Sequence, residues 1–192
     1  MYKAVFLDRD GTINEDVGDF CSPNKLIFIP GAIEALRILQ EKFLLFIITN
    51  QSGISKGVFT EKEFIRFNKY FNKLLKKEGV VIKKIYYCSH IKEEKCICRK
   101  PSSYFLKQAV QNYNIDLRNS YVIGDHPHDI EMGYNVGVSS IYLLTGHGKK
   151  HRQDLIIKPD FIATDLYKAS IWIFAKNKLK VGKYCNFFEN MI

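Results

Sequence analysis

Two carboxylates, Asp8 and Asp10, stand two residues apart in a short loop that also contains Gly11 and Thr12. The loop directly follows the apolar run at residues 2–7, which is typical of a buried strand. Carboxylates at this spacing can share the work around one divalent cation, with one attacking as a nucleophile while the other exchanges a proton with the leaving group. An acidic turn without chemistry is the alternative that this loop alone leaves open.

Three later loops also have polar side chains suited to phosphate chemistry. Residues 49–53 offer a hydroxyl, two amides and a glycine that permits close approach. Arg99 and Lys100 supply two cations before a predicted helix, and Lys100 could hold phosphoryl oxygens as they gain charge. Asp125 and Asp129 add two more carboxylates. Each loop alone could be a solvated turn, but four of them in succession indicate a shared site.

The elements that position these loops alternate between strand and helix. Strands are predicted at residues 2–7, 43–48, 80–87, 120–123, 140–144 and 161–162, and helices at 31–40, 102–113, 130–136 and after Thr60. Thr60 and Glu63 have the spacing of a capping box. Such alternation predicts an α/β fold, a doubly wound parallel sheet with helices on both faces. Ligands bind such sheets at the carboxyl ends of the strands, where the polar loops stand.

The chain has 192 residues, with 29 Lys and Arg against 20 Asp and Glu, so its net charge is +9. We predict one domain at residues 1–175 and a basic C-terminal extension at 176–192, and we expect a monomer. No apolar run approaches the ~18 residues of a membrane span, so we expect a cytoplasmic protein without a membrane partner. The positive charge fits a nucleic acid, an anionic small substrate or a lysine-rich surface.

A second cluster brings three thiols and an imidazole within eleven residues, at Cys88, His90, Cys96 and Cys98. This ligand set suits a closed, structural Zn²⁺ site, which would make rigid the loop that leads to Arg99. Reduced cysteines or a redox pair are the alternatives. The five cysteines, an odd number, do not indicate a disulfide framework, and Cys21 and Cys185 are expected to be ordinary thiols.

The order of these motifs, DxD, Thr, Lys-Pro and then GDxxxD, resembles the haloacid dehalogenase superfamily of phosphatases. The strings FLDRDGTIN, ITNQSGI, CRKP and VIGD resemble more narrowly the D-glycero-D-manno-heptose-1,7-bisphosphate 7-phosphatases and the related histidinol-phosphate phosphatases, over roughly residues 5–148. Both relatives also contain the Cys-x-His…Cys-x-Cys loop, which supports the zinc interpretation.

The resemblance implies a Mg²⁺-dependent mechanism through an aspartyl-phosphate intermediate. Asp8 would be the nucleophile, and Asp10 would be the general acid and then the general base. Mg²⁺ would be held by the Asp8 side chain, the Asp10 backbone carbonyl and Asp125, with Asp129 in support. The residues that would steady the transferring phosphoryl group are Thr49 and Lys100.

Two sets of strings bear on the substrate. TNQSGISKGVFTEKEF and LLTGHGK resemble the heptose bisphosphate phosphatases, whereas the gap between His90 and Cys96 and the string NSYVIGD resemble the histidinol-phosphate phosphatases. We favour the heptose bisphosphate because the residues beside the expected phosphate could interact with the sugar; histidinol phosphate or another small sugar phosphate is the alternative. Substrate contacts are expected from Asn50, Gln51, Ser52, Lys56, Arg99 and His126.

His126 stands where relatives usually have Lys or Arg, whereas His128 and His151 are expected to be surface histidines. Arg9 is also expected to interact with phosphate. No stretch between the motifs is long enough for a large cap domain, so the zinc loop and residues 14–22 are expected to shape the entrance.

A nucleic-acid 3′-phosphatase and a non-catalytic binding module are the competing functions. The first requires a continuous basic stripe with exposed aromatics, but the lysines are scattered. Phe64, Phe67 and Phe71 follow helical spacing that is typical of a core, so we expect no nucleic-acid partner. The second requires a broken motif, and all four motifs are intact.

Overall fold

Six parallel strands form one sheet in a computed structural model that describes residues 1–179. The strand order is β3-β2-β1-β4-β5-β6. This arrangement confirms the predicted doubly wound parallel sheet. The strands are β1 (Ala4–Leu7), β2 (Leu44–Asn50), β3 (Ile82–Cys88), β4 (Tyr121–Gly124), β5 (Ser139–Leu143) and β6 (Phe161–Ala163).

In the described part of the chain, six α-helices accompany the sheet: α1 (Ala32–Gln40), α2 (Glu61–Lys77), α3 (Tyr104–Tyr113), α4 (Pro127–Tyr134), α5 (Gly148–His151) and α6 (Leu166–Lys176). The capping box predicted at Thr60 is present at the start of α2. Helix α4 begins three residues before its predicted start, because His126 caps it and Pro127 fits the first turn. Helix α6 was not predicted, since its nearly continuous apolar sequence has no clear polar face.

The alternation of side chains along the strands divides the core into two halves. Val5 and Leu7 of β1 pack on one face of the sheet, against residues of α1, α2 and α6. Ala4 and Phe6 pack on the other face, against residues of α3 and α4. Because both faces are covered, the central strands are apolar throughout, as expected of a buried parallel sheet.

The order of the strands fixes where a ligand can bind. After β1 the chain winds outward through β2 and β3, and then returns to pair β4 with the opposite edge of β1. The connections that leave the carboxyl ends of β1 and β4 therefore run in opposite directions. Doubly wound sheets form a crevice for ligands at this switch point. Asp8 follows β1 and Asp125 follows β4, so the two motifs meet at this crevice.

The segment from β1 to α1 contains only one short 3₁₀ turn, at Pro23–Lys25, and no inserted cap domain. Within residues 1–179 no helix is long and apolar enough to span a membrane. The proposed division at residue 175 stays a prediction. Helix α6 ends at Lys176, and most of the expected extension, with Cys185, lies outside the described residues.

Candidate active site

Lys100 forms ion pairs with two carboxylates at the switch point. Its Nζ lies 2.9 Å from Oδ1 of Asp8 and 2.6 Å from Oδ1 of Asp129. Carboxylate oxygens of Asp8, Asp125 and Asp129 all lie within 4.8 Å of one another. We call these four residues the acidic cluster. Three carboxylates around one ammonium group leave two negative charges that nothing inside the cluster neutralises.

Burial and mutual repulsion disturb the titration of this cluster. Burial raises the pKa of Asp8 to about 7, against the opposing attraction of Lys100. Burial, with the charges of Asp8 and Asp129, raises the pKa of Asp125 to about 8. The pKa of Lys100 is also raised. Burial alone would lower it, but the attraction of the two carboxylates outweighs that effect. Oxygen donors that repel one another in this way fit a divalent cation such as Mg²⁺.

Gly11 permits the close approach of the first and fourth motifs. Its backbone has a φ of +80°, and a Cβ at this position would run into the carboxylate of Asp125. The carbonyl of Gly11 accepts a hydrogen bond from Oγ1 of Thr145, 2.6 Å away. Oδ2 of Asp125 accepts the backbone N–H of His147 at 2.8 Å. The loops after β1, β4 and β5 are thereby joined around the acidic cluster.

The side chain of Asp10 lies apart from the acidic cluster and is held by four donor groups. Oδ1 accepts Nε of Arg9 at 3.0 Å and Nδ2 of Asn14 at 2.8 Å. Oδ2 accepts NH2 of Arg9 and Nε2 of Gln51, both at 2.8 Å. These donors lower the pKa of Asp10, although burial alone would raise it. The carboxylate of Asp10 is therefore ionised near neutral pH.

The prediction that Arg9 interacts with phosphate is wrong. Its side chain is 1% exposed and is directed into the protein, where it pairs with Asp10. Arg9 is also absent from the residues that line the cavity above the acidic cluster. Its position between two acidic residues in the sequence gave no sign of this burial.

A cavity of about 370 Å³ opens above the acidic cluster. Ser52 and Asp129 do not line the cavity. Asp129 pairs with Lys100, and the backbone carbonyl of Ser52 accepts the backbone N–H of Lys56. The predicted site residues that line the cavity are Asp8, Asp10, Thr49, Asn50, Gln51, Lys56, Arg99, Lys100, Asp125 and His126. Asp16, Gly18 and Asp19 of the predicted entrance segment, residues 14–22, also line the cavity. His128 and His147 line it as well and were not predicted as site residues.

Two side-chain contacts, an ion pair and a histidine–carboxylate contact, hold the entrance loop, residues 14–22, beside the cavity. Asp19 pairs with Lys56 at 2.8 Å, and Asp16 lies 3.1 Å from Nε2 of His147. Lys56 is therefore partly neutralised by Asp19. Sequence reasoning placed this loop at the entrance, but the acidic residues belong to no motif and gave no signal of their partners.

Three histidines line the cavity, namely His126, His128 and His147. His128 therefore faces the site rather than being a plain surface histidine, whereas His151 is not among the lining residues. The ring of His126 lies 4.5 Å from that of His128 and 5.0 Å from that of His151, between centroids. Burial and the neighbouring His128 lower the pKa of His126 to about 4. At neutral pH His126 is therefore an uncharged hydrogen-bonding group at a position where Lys or Arg was expected.

The cysteine–histidine cluster brings its four predicted ligands together. Sγ of Cys96 lies 3.5 Å from Sγ of Cys88 and 3.6 Å from Sγ of Cys98. Nδ1 of His90 lies 3.6 Å from the sulfur of Cys88 and 3.5 Å from that of Cys98. A tetrahedral site with Zn–S near ~2.3 Å and Zn–N near ~2.0 Å has edges of about 3.5–3.8 Å. These four atoms therefore match the edges of a zinc tetrahedron.

The titration of the thiols is consistent with shared protons in this cluster. Burial raises the pKa of Cys98. Burial also acts on Cys96, but hydrogen bonds from the backbone of Cys98 and from neighbouring thiols lower its pKa to about 7. A thiol with a lowered pKa provides the thiolate that binds a metal ion.

The cysteine–histidine loop leads directly to Lys100. NH1 of Arg99 donates to the backbone carbonyl of His90 at 2.9 Å. The backbone N–H of Lys100 donates to Oδ1 of Asn50 at 3.1 Å. These contacts fix the backbone on both sides of the lysine, so the conformation of the loop decides where Nζ of Lys100 lies.

Comparison with known proteins agrees with the motifs and the sheet. The family model of HAD-like hydrolases matches residues 97–169. The D-glycero-beta-D-manno-heptose-1,7-bisphosphate 7-phosphatase of Haemophilus ducreyi is 40% identical over 169 residues, which cover 81% of this chain and 92% of the relative. The D-glycero-alpha-D-manno-heptose-1,7-bisphosphate 7-phosphatase of Campylobacter jejuni is 38% identical over 149 residues, covering 77% and 86%.

A solved structure extends this similarity to the fold. The D,D-heptose 1,7-bisphosphate phosphatase of B. bronchiseptica, crystallised with magnesium and phosphate, superposes with a TM-score of 0.84 at 27% identity. The superposition covers 91% of this chain and 99% of that protein. The chain therefore belongs to the D-glycero-D-manno-heptose-1,7-bisphosphate 7-phosphatase family of haloacid dehalogenase-like phosphatases.

Proposed function

We propose that this enzyme is a Mg²⁺-dependent D-glycero-D-manno-heptose-1,7-bisphosphate 7-phosphatase that acts through a phosphoaspartate. The main observation is the acidic cluster at the base of a cavity of about 370 Å³, a size that suits a small ligand. The named activities of the relatives from H. ducreyi and C. jejuni support this substrate class. Because those names include both anomers, they favour neither for this chain.

In the first step, a carboxylate oxygen of Asp8 attacks the phosphorus atom. The bond between phosphorus and the ester oxygen breaks, and Asp10, which must take up a proton before this step, gives that proton to the ester oxygen, which leaves as the sugar hydroxyl. Lys100 and Thr49 stabilise the negative charge on the transferring group. Lys100 suits this role because its Nζ already lies 2.9 Å from Asp8.

In the second step, Asp10 takes a proton from a water molecule as the water oxygen attacks the phosphorus atom of the phosphoaspartate. The bond to Asp8 breaks, so inorganic phosphate leaves and the Asp8 carboxylate is restored. The Asp10 carboxylate is ionised near neutral pH, which is the form that can accept this proton.

The residues that would hold Mg²⁺ are Asp8, the backbone carbonyl of Asp10 and Asp125, with Asp129 in support through Lys100. When bound, the ion would neutralise the acidic cluster and polarise the phosphoryl group. A Zn²⁺ ion held by Cys88, His90, Cys96 and Cys98 would have a structural role, because four protein ligands leave no open position for a reactant.

The cavity wall supports a small polar substrate rather than a nucleic acid. Asn50, Gln51, Arg99 and His126 present amide, guanidinium and imidazole groups that can bind sugar hydroxyls and a second phosphate. Phe64, Phe67 and Phe71 are buried, so they offer no stacking platform for bases.

Substrate comparison tests this function directly. With Mg²⁺, we expect kcat/KM for a heptose 1,7-bisphosphate to exceed that for histidinol phosphate, other sugar phosphates and a 3′-phosphorylated oligonucleotide by at least about tenfold, because an additional phosphate and sugar contacts contribute binding. Asp8→Asn should lower turnover by at least about 10³-fold without unfolding the protein.

The matched control is Asp116→Asn, which changes a half-buried carboxylate near the amino end of β1, far from the site, and should leave turnover unchanged. Preferred hydrolysis of histidinol phosphate or of the oligonucleotide would contradict the proposed substrate. Substantial phosphate release by a folded Asp8→Asn variant would contradict the proposed nucleophile.

Magnesium affinity should increase with pH. The folded-state pKa values of about 7 for Asp8 and about 8 for Asp125 lie above their ordinary values, so both residues hold protons that a cation must displace. Because these pKa values are higher in the folded than in the unfolded chain, the free energy of unfolding of the metal-free protein should decrease as pH rises toward about 8. Bound Mg²⁺ should increase it again.

Titration calorimetry in buffers of different ionisation enthalpy measures both the affinity and the released protons. We expect release of about one proton or more near pH 6.5 and much less near pH ~9. Asp125→Asn should reduce the release and weaken binding. An affinity that stays constant between about pH 6 and pH ~8.5 would refute this account of the acidic cluster.

Loss of zinc should impair catalysis through the position of Lys100. Protein purified without chelator should contain about one zinc per chain, and Cys98→Ser should lose it, melt at a lower temperature and show roughly 10–100-fold lower kcat/KM. Cys21→Ser changes a half-buried thiol outside the cluster and should alter none of these properties. Zinc-free protein with full activity would disprove the structural role.

A further inference from the structure

Arg9 is the largest of the fully buried side chains, although its guanidinium group is always charged. A buried cation is stable only when nearby groups compensate for its lost hydration. In this protein the compensation comes from Asp10 and from a box of aromatic rings, and Arg9 itself does not line the cavity. The placement of Arg9 therefore requires an explanation other than substrate binding.

The contact between Arg9 and Asp10 is bidentate. Nε of Arg9 donates to one carboxylate oxygen of Asp10 at 3.0 Å, and NH2 donates to the other at 2.8 Å. Two parallel hydrogen bonds fix both the position and the plane of a carboxylate, which a single ammonium group cannot do. The remaining contacts of Asp10 with Asn14 and Gln51 then complete the orientation from either side.

Three phenylalanines enclose the guanidinium group of Arg9. Its Cζ lies 5.8 Å from the ring centroid of Phe20, 5.5 Å from that of Phe64 and 5.2 Å from that of Phe67. NH1 also donates to Oδ1 of Asn68 at 3.4 Å. These distances are those of cation–π contacts, so the box holds the arginine in the one orientation that serves Asp10.

The aromatic box joins two parts of the chain. Phe64 and Phe67 belong to α2, whereas Phe20 belongs to the entrance loop. The entrance loop also supplies Asn14, which binds Asp10 directly. When this loop is docked, it thus contributes two of the groups that fix the carboxylate of Asp10.

We infer that Arg9 is a positioning residue that aligns the Asp10 carboxyl group for proton transfer and links this alignment to the docked entrance loop through Phe20. The inference rests on the proposed role of Asp10 and assigns Arg9 no contact with substrate. A misaligned Asp10 would give its proton to the leaving oxygen less effectively. The loss should therefore be larger for esters whose leaving group needs a proton.

The test compares kcat/KM for two substrates of different leaving-group basicity. One is the primary alkyl phosphate that the wild-type enzyme hydrolyses fastest, and the other is 4-nitrophenyl phosphate, whose leaving group needs little protonation. Arg9→Lys keeps the charge but loses the bidentate geometry. We expect it to lower kcat/KM by roughly 10–100-fold for the alkyl ester and by less than about threefold for the aryl ester, because kcat/KM reports the step in which the leaving group departs.

A double-mutant cycle separates this inference from the proposed function. Asp10→Asn alone should show the same preference for the aryl ester, and adding Arg9→Lys to it should cause no further loss, because Arg9 acts through Asp10. Equal losses on both esters after Arg9→Lys, or additive losses in the double variant, would overturn the inference. Asp10→Asn without any leaving-group effect would instead overturn the proposed role of Asp10.

Two further variants test whether the loss of activity in Arg9→Lys comes only from a damaged fold. Arg37→Lys changes a partly exposed arginine that pairs with Glu78, and it should leave both kcat/KM values unchanged. Where Arg9→Lys does not fold, Phe20→Leu removes one wall of the box and must produce the same alkyl-specific loss. A folded Phe20→Leu enzyme that loses both activities equally would contradict the link to the entrance loop.

Discussion

The ion pairs of Lys100 with Asp8 and Asp129 are the interaction on which the active-site edge depends. Their charges are buried, and removing one partner of such a group typically costs about 3–5 kcal/mol because an uncompensated charge remains. The cluster is still short of positive charge, as the raised pKa values of Asp8 and Asp125 indicate. A stable fold and a site that attracts a cation and a phosphoryl group therefore come from the same arrangement of charges.

Two loops support this cluster from opposite sides. The cysteine–histidine loop fixes the backbone of Lys100 through Arg99 and Asn50. The entrance loop, residues 14–22, lies beside the cavity and is held by Asp16 and Asp19. With no inserted cap domain between β1 and α1, these short segments limit access to the site. We therefore propose that substrate selection rests on the polar side chains that line the cavity.

Much of the site could be predicted because its residues directly follow strands. Asp8 and Asp125 directly follow β1 and β4, and Thr49 is the penultimate residue of β2. Parallel strands bring such positions to one edge of the sheet. The cysteine–histidine cluster was also predictable, because its four residues lie within eleven positions of the sequence. The burial of Arg9 was not, because its aromatic box is assembled from residues 20, 64 and 67. The position of His147 in the cavity wall was missed for the same reason: only the fold brings this residue, which follows β5, to the cavity.

The central claim is that Asp8 carries the phosphoryl group between the two steps. Acid quenching during turnover, followed by mass spectrometry of the peptides, locates that group directly. The account predicts a phosphorylated peptide with the modification on Asp8, formed only with Mg²⁺ present and absent from Asp8→Asn. Phosphate release without any phosphorylated Asp8, or with the phosphoryl group on another residue, would contradict it.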